Sequence, residues 1–172
     1  MAVDNLKLED GLVLHPVRTV RDAASFTALN EAVTGEGYLC ERLLHHHPGT
    51  TFDHYFGIEN TDRGEFISTT CLIPWQLDYG GVRLSTAMLE MVVTHPDYRR
   101  RGLIRAQIDH FHRKALDDSY DLCIIQGIPY YYRQYGYAYA LDHTPFDTLE
   151  SRMIPEMESN LPAPYSLRPA TL

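Results

Sequence analysis

The segment from Leu89 to Ala115 constrains the fold more than any other part of this 172-residue chain. A strand-like apolar run ends at His95-Pro96, and beyond Gly102 apolar residues recur at helical spacing. Between the two lie three consecutive arginines, Arg99 to Arg101. A strand that enters a basic, glycine-containing loop and then a helix brings free backbone amides and guanidinium groups together. This arrangement favours the binding of phosphate or pyrophosphate.

The overall charge limits which partners are plausible. The formal net charge is -8, which argues against nucleic-acid binding through a broad basic face. The arginine cluster is therefore interpreted as a local anion site on an acidic protein. No apolar run approaches the roughly 20 residues that a membrane span needs, and the N-terminus lacks an apolar signal core. We expect a cytoplasmic protein without a membrane partner.

The remaining patterns predict an α+β domain with a mostly antiparallel central sheet flanked by helices. Thr19 or Asp22 is expected to cap a first helix whose Ala23, Phe26, Leu29 and Ala32 face the core. The other predicted elements are a helix at 37–46, strands at 51–58, 65–73, 82–94 and 122–126, a short helix at 129–135 and a strand region at 137–149.

The chain is expected to form one principal domain at 1–153, followed by a proline-containing linker or tail at 154–172. Residues 166–171 loosely repeat residues 13–18, as though a second copy of the opening strand were beginning. Two interpretations stay open: a chance match, or the start of a second domain of a longer chain.

The loop lacks the glycine and lysine spacing of a Walker-type loop and the G-x-G-x-x-G of a dinucleotide fold. It resembles the acyl-CoA loop of the GNAT acyltransferases, Q/R-x-x-G-x-G/A, because Pro96-Asp97-Tyr98-Arg99-Arg100-Arg101-Gly102 matches through the glycine. Ile104 departs from the small residue that the family prefers. The resemblance implies splayed strands that form an acyl-CoA cleft, with acetyl-CoA as cosubstrate.

The same resemblance implies roles for individual residues. Backbone groups of Val92, Val93 and Thr94 are expected to pair with the pantetheine arm of acetyl-CoA. The residues that it assigns to the pyrophosphate are Arg99, Arg100, Arg101, Gly102, Leu103, Ile104 and Arg105.

A second match lies downstream, in Tyr131-Tyr132-Arg133-Gln134-Tyr135-Gly136-Tyr137, which resembles the family's F-Y-x-x-x-G-F/Y element. The resemblance implies that Tyr132 protonates the leaving thiolate; the alternative is a core tyrosine. Glu90, on the cofactor strand, is a candidate general base or a merely solvated carboxylate. The two motifs together are also similar to the multidomain enhanced-intracellular-survival group, in which a chain-terminal carboxylate is the base instead.

Three other sets of residues attract attention. Cys40, Cys71 and Cys123 are interpreted as buried reduced thiols, and His45 to His47 as a helix C-terminus rather than a metal site, so we expect no metal. His110 and His112 are treated as surface or packing residues. Four aromatic residues line either an acceptor pocket or the core: Tyr38, Phe52, Tyr55 and Trp75.

These observations lead to two main functional hypotheses; a third, a phosphate-binding regulatory module without CoA, requires the tyrosine motif to be accidental and ranks last. The first is an N-acyltransferase that moves an acetyl group from acetyl-CoA to an amine of a small molecule or peptide by direct transfer. The second is a non-catalytic acyl-CoA-binding or structural half of a tandem protein. A homodimer is compatible with either.

Overall fold

The computed structural model describes residues 5–140 and 150–153. The chain divides into two compact units, Met1–Ala138 and Tyr139–Leu172. The second unit contributes only 139–140 and a 3₁₀ turn at Ser151–Met153 to the description. The predicted tail at 154–172 and most of the predicted strand at 137–149 lie outside the described residues; residues 137–140 form no strand.

One six-stranded sheet organises the first unit, and its spatial order follows the chain order. The strands are β1 (Leu6–Lys7), β2 (Leu12–Pro16), β3 (Tyr55–Asn60), β4 (Glu65–Tyr79), β5 (Val82–Thr94) and β6 (Leu122–Ile124). Neighbouring strands are antiparallel except for β5 and β6, which are parallel. The predicted α+β class with a mostly antiparallel sheet is confirmed.

Turn chemistry fixes the β3–β4 hairpin. The Asn60 side chain accepts hydrogen bonds from the backbone N–H groups of Asp62 and Arg63, and Gly64 supplies a φ of 65°. The strand predicted from residue 51 begins later, because Phe52–His54 form a 3₁₀ turn in which the Thr51 and His54 side chains cap each other's backbone.

Two helices cover one face of the sheet. α1 (Val20–Thr34) begins with a Thr19–Asp22 capping box and ends at Gly35, whose φ is 73°. α2 (Gly37–His46) has the predicted bounds. Together with β4 and β5 they bury a cluster containing Phe26, Cys40, Leu44, Tyr55, Cys71 and Ile73.

The prediction for the last turns of α1 is wrong. Ala32 is exposed, and the fully buried residue is Asn30. The Asn30 amide donates to the carbonyl of Phe26 at 2.9 Å and to Thr69 Oγ1 at 3.1 Å. The helix and the sheet therefore supply partners for the buried amide nitrogen, whereas Asn30 Oδ1 has no partner among the described residues.

A third helix, α3 (Leu103–Asp117), covers the other face of the sheet. It buries Ile108, Phe111 and Ala115 against Leu72 and Leu89, as the helical spacing predicts, while Arg105, Asp109 and Arg113 are exposed. β6 is shorter than predicted and its three residues are exposed or half-buried, since it lies at the sheet edge. Within the described ranges, no helix has the length and apolar character to cross a membrane.

Candidate active site

β5 and β6 pair over a short stretch and then separate. Their parallel ladder joins Thr86 to Leu122, Ala87 to Cys123 and Met88 to Ile124, and β6 ends there. β5 continues to Thr94 with no described strand along this edge from Leu89 onward. Unpaired backbone groups on a strand edge can hydrogen-bond to an extended ligand. Val92, Val93 and Thr94 all lie on this open stretch.

A β-bulge interrupts β5 inside the same stretch. The β4 register moves from Cys71 opposite Glu90 to Thr69 opposite Val93, so Met91 and Val92 together face one residue of β4. Met91 has a φ of 53°, a left-handed conformation that a non-glycine residue adopts only when its surroundings enforce it. Thr70 Oγ1 donates to the carbonyl of Glu90 at 2.9 Å and fixes the strand beside the bulge.

The loop after β5 has the conformation of an anion-binding turn. Arg100 and Gly102 have φ values of 61° and 75°, and Arg101 between them is not left-handed. Such alternation turns successive backbone N–H groups toward one point. Within the described part of the chain, no side chain caps α3 at Gly102, which leaves the first-turn amides of Leu103, Ile104 and Arg105 available. A Cβ at residue 102 would meet nothing within 4 Å, so the space beside the loop is open.

The arginine side chains take separate directions. Arg99 Nε donates to the carbonyl of Thr94 at 3.5 Å, which closes the loop on itself. Arg101 forms an ion pair with Asp10 and lies 5.4 Å from the centre of the Tyr98 ring. Arg105 lies 5.0 Å from the centre of the Tyr135 ring, which links the two sequence motifs in space.

A buried hydroxyl network holds the loop at both ends, and the sequence did not reveal it. Ser68 Oγ lies 2.9 Å from the carbonyl of Val93, 2.7 Å from Thr94 Oγ1 and 2.9 Å from Gln107 Oε1. Ser68 and Gln107 are both fully buried. Thus β4 ties the end of β5 to the second turn of α3 and fixes the separation between them. A glutamine at a core-facing position of α3 is the only trace of this network in the sequence.

Tyr132 lies in a 3₁₀ helix, Tyr131–Tyr135, that follows β6. Its ring rests against Gly127, where any Cβ would overlap it, and it also packs on the α3 side of the core. Burial and the charges of Tyr131 and Glu90 raise its pKa to about 12. Its hydroxyl makes no hydrogen bond within the described residues, so it remains available to an outside partner.

Glu90 is half-buried on β5 and belongs to the same neighbourhood, since its charge contributes to the raised pKa of Tyr132. Burial raises the pKa of Glu90 above its ordinary value of 4.5, although its carboxylate accepts a hydrogen bond from the N–H of Met91. The nearby charge of Glu36, at the α1–α2 junction, raises it further. The charge of Glu90 therefore acts on Tyr132, although Glu90 lies on the α1 and α2 side of the sheet and Tyr132 packs on the α3 side.

The sequence also matches a family model for the acetyltransferase (GNAT) domain over residues 24–140. This range contains both motifs, the separated strands and all three helices except the first turn of α1. The chain belongs to the GNAT acetyltransferase family. No curated protein matches the sequence significantly.

Solved structures agree with a GNAT fold. A GNAT family acetyltransferase from Brucella melitensis, determined in complex with acetyl-CoA, is similar with a TM-score of 0.63 and 19% identity, over 76% of this chain and 85% of that one. A probable N-acyltransferase from Enterococcus faecalis gives a TM-score of 0.59 at 20% identity over 73% of this chain. Eis1 from Mycobacterium abscessus gives 0.59 at 16% identity over 72%. The matches span only 32% and 31% of the latter two proteins, about a third of their length.

The four aromatic residues predicted to line either an acceptor pocket or the core divide between the core and the surface of the GNAT chain. Tyr55 is wholly buried, and its hydroxyl donates to the carbonyl of Leu43 at 2.6 Å, so it does not line a pocket. Phe52 packs against the same core. Tyr38 and Trp75 are exposed.

The histidines and cysteines follow a similar division. His110 is buried, with its pKa lowered to about 4 by burial, whereas His45 and His46 are exposed. No set of three potential metal ligands occurs within the ranges described. Cys40 and Cys71 are buried free thiols, but Cys123 is only half-buried.

Proposed function

We propose that this protein is an acetyl-CoA-dependent N-acetyltransferase that transfers the acetyl group directly to an amine of a small molecule or peptide. The observation that carries the proposal is the separation of β5 from β6 beyond Met88, directly before a loop whose amides converge at the start of α3. An extended chain with a diphosphate at one end matches both parts of this surface.

The cofactor-binding roles divide between backbone and side chain. The open edge of β5 at Val92, Val93 and Thr94 pairs with the pantetheine amides, which places the thioester near the bulge at Met91. The diphosphate lies against the amides from Arg100 to Arg105, where the helix dipole and the arginine charges favour anions. Gly102 lets the phosphate approach the backbone closely.

Glu90 and Tyr132 perform the proton transfers. Glu90 accepts a proton from the ammonium group of the acceptor, directly or through water, and the neutral nitrogen attacks the thioester carbonyl carbon. A nitrogen–carbon bond forms, the carbon–sulfur bond breaks, and the Tyr132 hydroxyl protonates the leaving thiolate. The second proton that the nitrogen releases returns to the Tyr132 oxygen through solvent, which leaves the neutral amide and restores the hydroxyl. The raised pKa of Glu90 makes it a stronger base, and a pKa of about 12 keeps Tyr132 protonated at neutral pH.

The test separates binding from transfer. Calorimetry with acetyl-CoA and desulfo-CoA measures cofactor binding, and free-thiol release across a panel of primary amines measures turnover. We expect binding of both ligands and amine-dependent thiol release. Absence of acetyl-CoA binding contradicts the whole proposal. Binding without thiol release for any amine favours the alternative, a non-catalytic acyl-CoA-binding half of a tandem protein.

A further inference from the structure

The far half of the β4–β5 hairpin, residues 75–79 and 82–86, extends beyond the core and is called the arm below. Its large apolar residues remain exposed: Trp75 by 48%, Tyr79 by 73% and Val82 by 59%. None of them belongs to the core clusters of the described residues. The arm therefore presents apolar surface that the described chain does not cover.

The exposed residues are not scattered, because the arm has one apolar face. Cross-strand pairs on this face join Trp75 to Thr86, Leu77 to Leu84 and Tyr79 to Val82. Strand alternation places the polar residues on the opposite face: Gln76, Asp78, Arg83 and Ser85. A contiguous exposed apolar strip is typical of a surface that binds another molecule.

The same face of β5 connects the arm to the proposed catalytic centre, with Thr86 fully buried and Met88 half-buried between them. Glu90, Met88 and Thr86 alternate along β5 and share one face of the sheet, the face of Trp75. Four residues of strand separate Glu90 from Thr86, a distance of about 13 Å. The end near Glu90 is acidic, since Glu36 adds its charge there. A ligand with a cationic amine at one end and apolar groups along its length complements a surface that is acidic near Glu90 and apolar on the arm.

The backbone of the arm favours a peptide over a simple amphipathic amine. β3 pairs with β4 only as far as Tyr55 opposite Cys71. From Leu72 to Tyr79, no described strand pairs with this edge of β4. Unpaired N–H and C=O groups on a strand edge are satisfied by the backbone of an extended peptide, which an alkyl chain cannot provide.

From the apolar face, the acidic end and the open edge we infer that the acceptor is an extended peptide whose free amine lies at Glu90 and whose apolar side chains lie on the arm. Because an extended peptide also advances about 3.3 Å per residue, its fifth and seventh residues reach Trp75 and the Leu77–Leu84 pair. This inference rests on the proposed function for its amine end and adds the acceptor class.

Trp75 is the only tryptophan in the chain, so its emission reports on the arm without any turnover. The probe is an alanine-based heptapeptide with a free N-terminus and leucine at positions 5 and 7, compared with the same peptide carrying serine there and with its N-acetylated form. We expect a blue shift of the emission on addition of the leucine peptide. The serine peptide should bind at least about 10-fold more weakly, because two leucine side chains stay in water. Acetylation of the amine should also weaken binding.

The matched variants are Leu77→Ser on the apolar face and Gln76→Ser on the polar face of the same strand. Leu77→Ser should weaken binding of the leucine peptide about 10-fold with an unchanged thermal unfolding temperature, and Gln76→Ser should not. Equal affinity for both peptides, or equal effects of the two variants, overturns the inference. A dimer in sedimentation that Leu77→Ser converts to monomers would also overturn it, because a second copy of the chain would then cover the face. Binding of decylamine as tightly as the leucine peptide would overturn it as well.

Different results would contradict the proposed acetyltransferase function and the inferred peptide acceptor. Acetylation of small amines with no response to the leucine peptide removes the peptide inference alone. Peptide binding to the arm without acetyl-CoA turnover removes the proposed function and leaves a peptide-binding arm.

Discussion

The two ends of β5 differ in how they are held. At the end from Leu89 to Thr94, buried hydrogen bonds from Ser68 and Thr70 fasten the strand to β4, and one edge stays open. At the end from Val82 to Thr86, the strand pairs in an arm whose Trp75, Tyr79 and Val82 are exposed. Reaction chemistry depends on atomic positions, and the proposed catalytic carboxylate lies on the fastened end. The arm offers a binding surface on which changes of side chain are tolerated.

This comparison predicts separable effects on turnover, on cofactor affinity and on acceptor affinity. The largest effect is expected for Tyr132→Phe, which removes the proton donor and keeps the ring that packs on Gly127. We expect kcat to fall about 100-fold with unchanged acetyl-CoA affinity. Stopped-flow thiol release and calorimetry measure the two quantities. Tyr131→Phe is the matched control and should change neither; an equal loss in both variants would show that Tyr132 acts only through packing.

Glu90→Gln should reduce kcat/KM about 30-fold at neutral pH, because it removes the base. Only the deprotonated carboxylate accepts a proton, so wild-type activity should rise as the pH increases through a pKa that burial places above 4.5. The variant should lack this acidic limb. Glu41→Gln, on an exposed position of α2, is the control. An acidic limb that persists in Glu90→Gln would assign the base to another group.

Gly102→Ala should weaken acetyl-CoA binding about 10-fold, since an L-residue in the left-handed region costs about 1–2 kcal/mol and its Cβ enters the space beside the loop. The rate at saturating acetyl-CoA should stay close to that of the wild type. Gly35→Ala is a closely matched control, because Gly35 has a similar φ of 73° and equally open surroundings. Both variants should lose comparable thermal stability. Equal cofactor affinity in the two variants would contradict a diphosphate site at Gly102.

The smallest effect is expected for Asp10→Asn, which releases Arg101 from its ion pair. Because the pair is exposed, we expect a gain of about twofold in acetyl-CoA affinity at low salt and none at high salt. Calorimetry at two salt concentrations tests this. Asp118→Asn, which breaks the exposed Lys114–Asp118 pair on α3, is the control. A loss of affinity in Asp10→Asn would mean that the ion pair shapes the loop for the cofactor.

The strand, loop and helix from Leu89 to Ala115 could be predicted from the sequence because they are continuous in the chain. The loop at Arg99–Gly102 and the following helix obey local rules for helix starts and left-handed glycines, and the structure has them where predicted. The bounds of α2 and the capping of α1 by Thr19 also depend on residues that are close together in the sequence, and both were predicted.

Contacts between distant segments could not be predicted in this way. The Ser68–Gln107 bond joins residues 39 positions apart, and the Asp10–Arg101 pair joins residues 91 positions apart. Helical periodicity also misplaced the core at the end of α1, because the hydrogen bond from Asn30 to Thr69 overrides the preference for alanine. The open edge of the arm depends on where β3 ends, which no local pattern determines.

The extra residue at Met91 determines which side of the sheet the side chains beyond it face. In an unbroken strand every second side chain points the same way, so Glu90 and Thr94 would share a face. The bulge reverses that parity between them: Glu90 lies opposite Cys71 on the side of α1 and α2, and Thr94 lies opposite Ser68, which bonds to Gln107 of α3. A single inserted residue thus changes which side of the sheet the residues beyond it face. Deleting Met91 would remove the bulge and still leave the carboxylate and the hydroxyl on opposite sides, because three residue steps would then separate them.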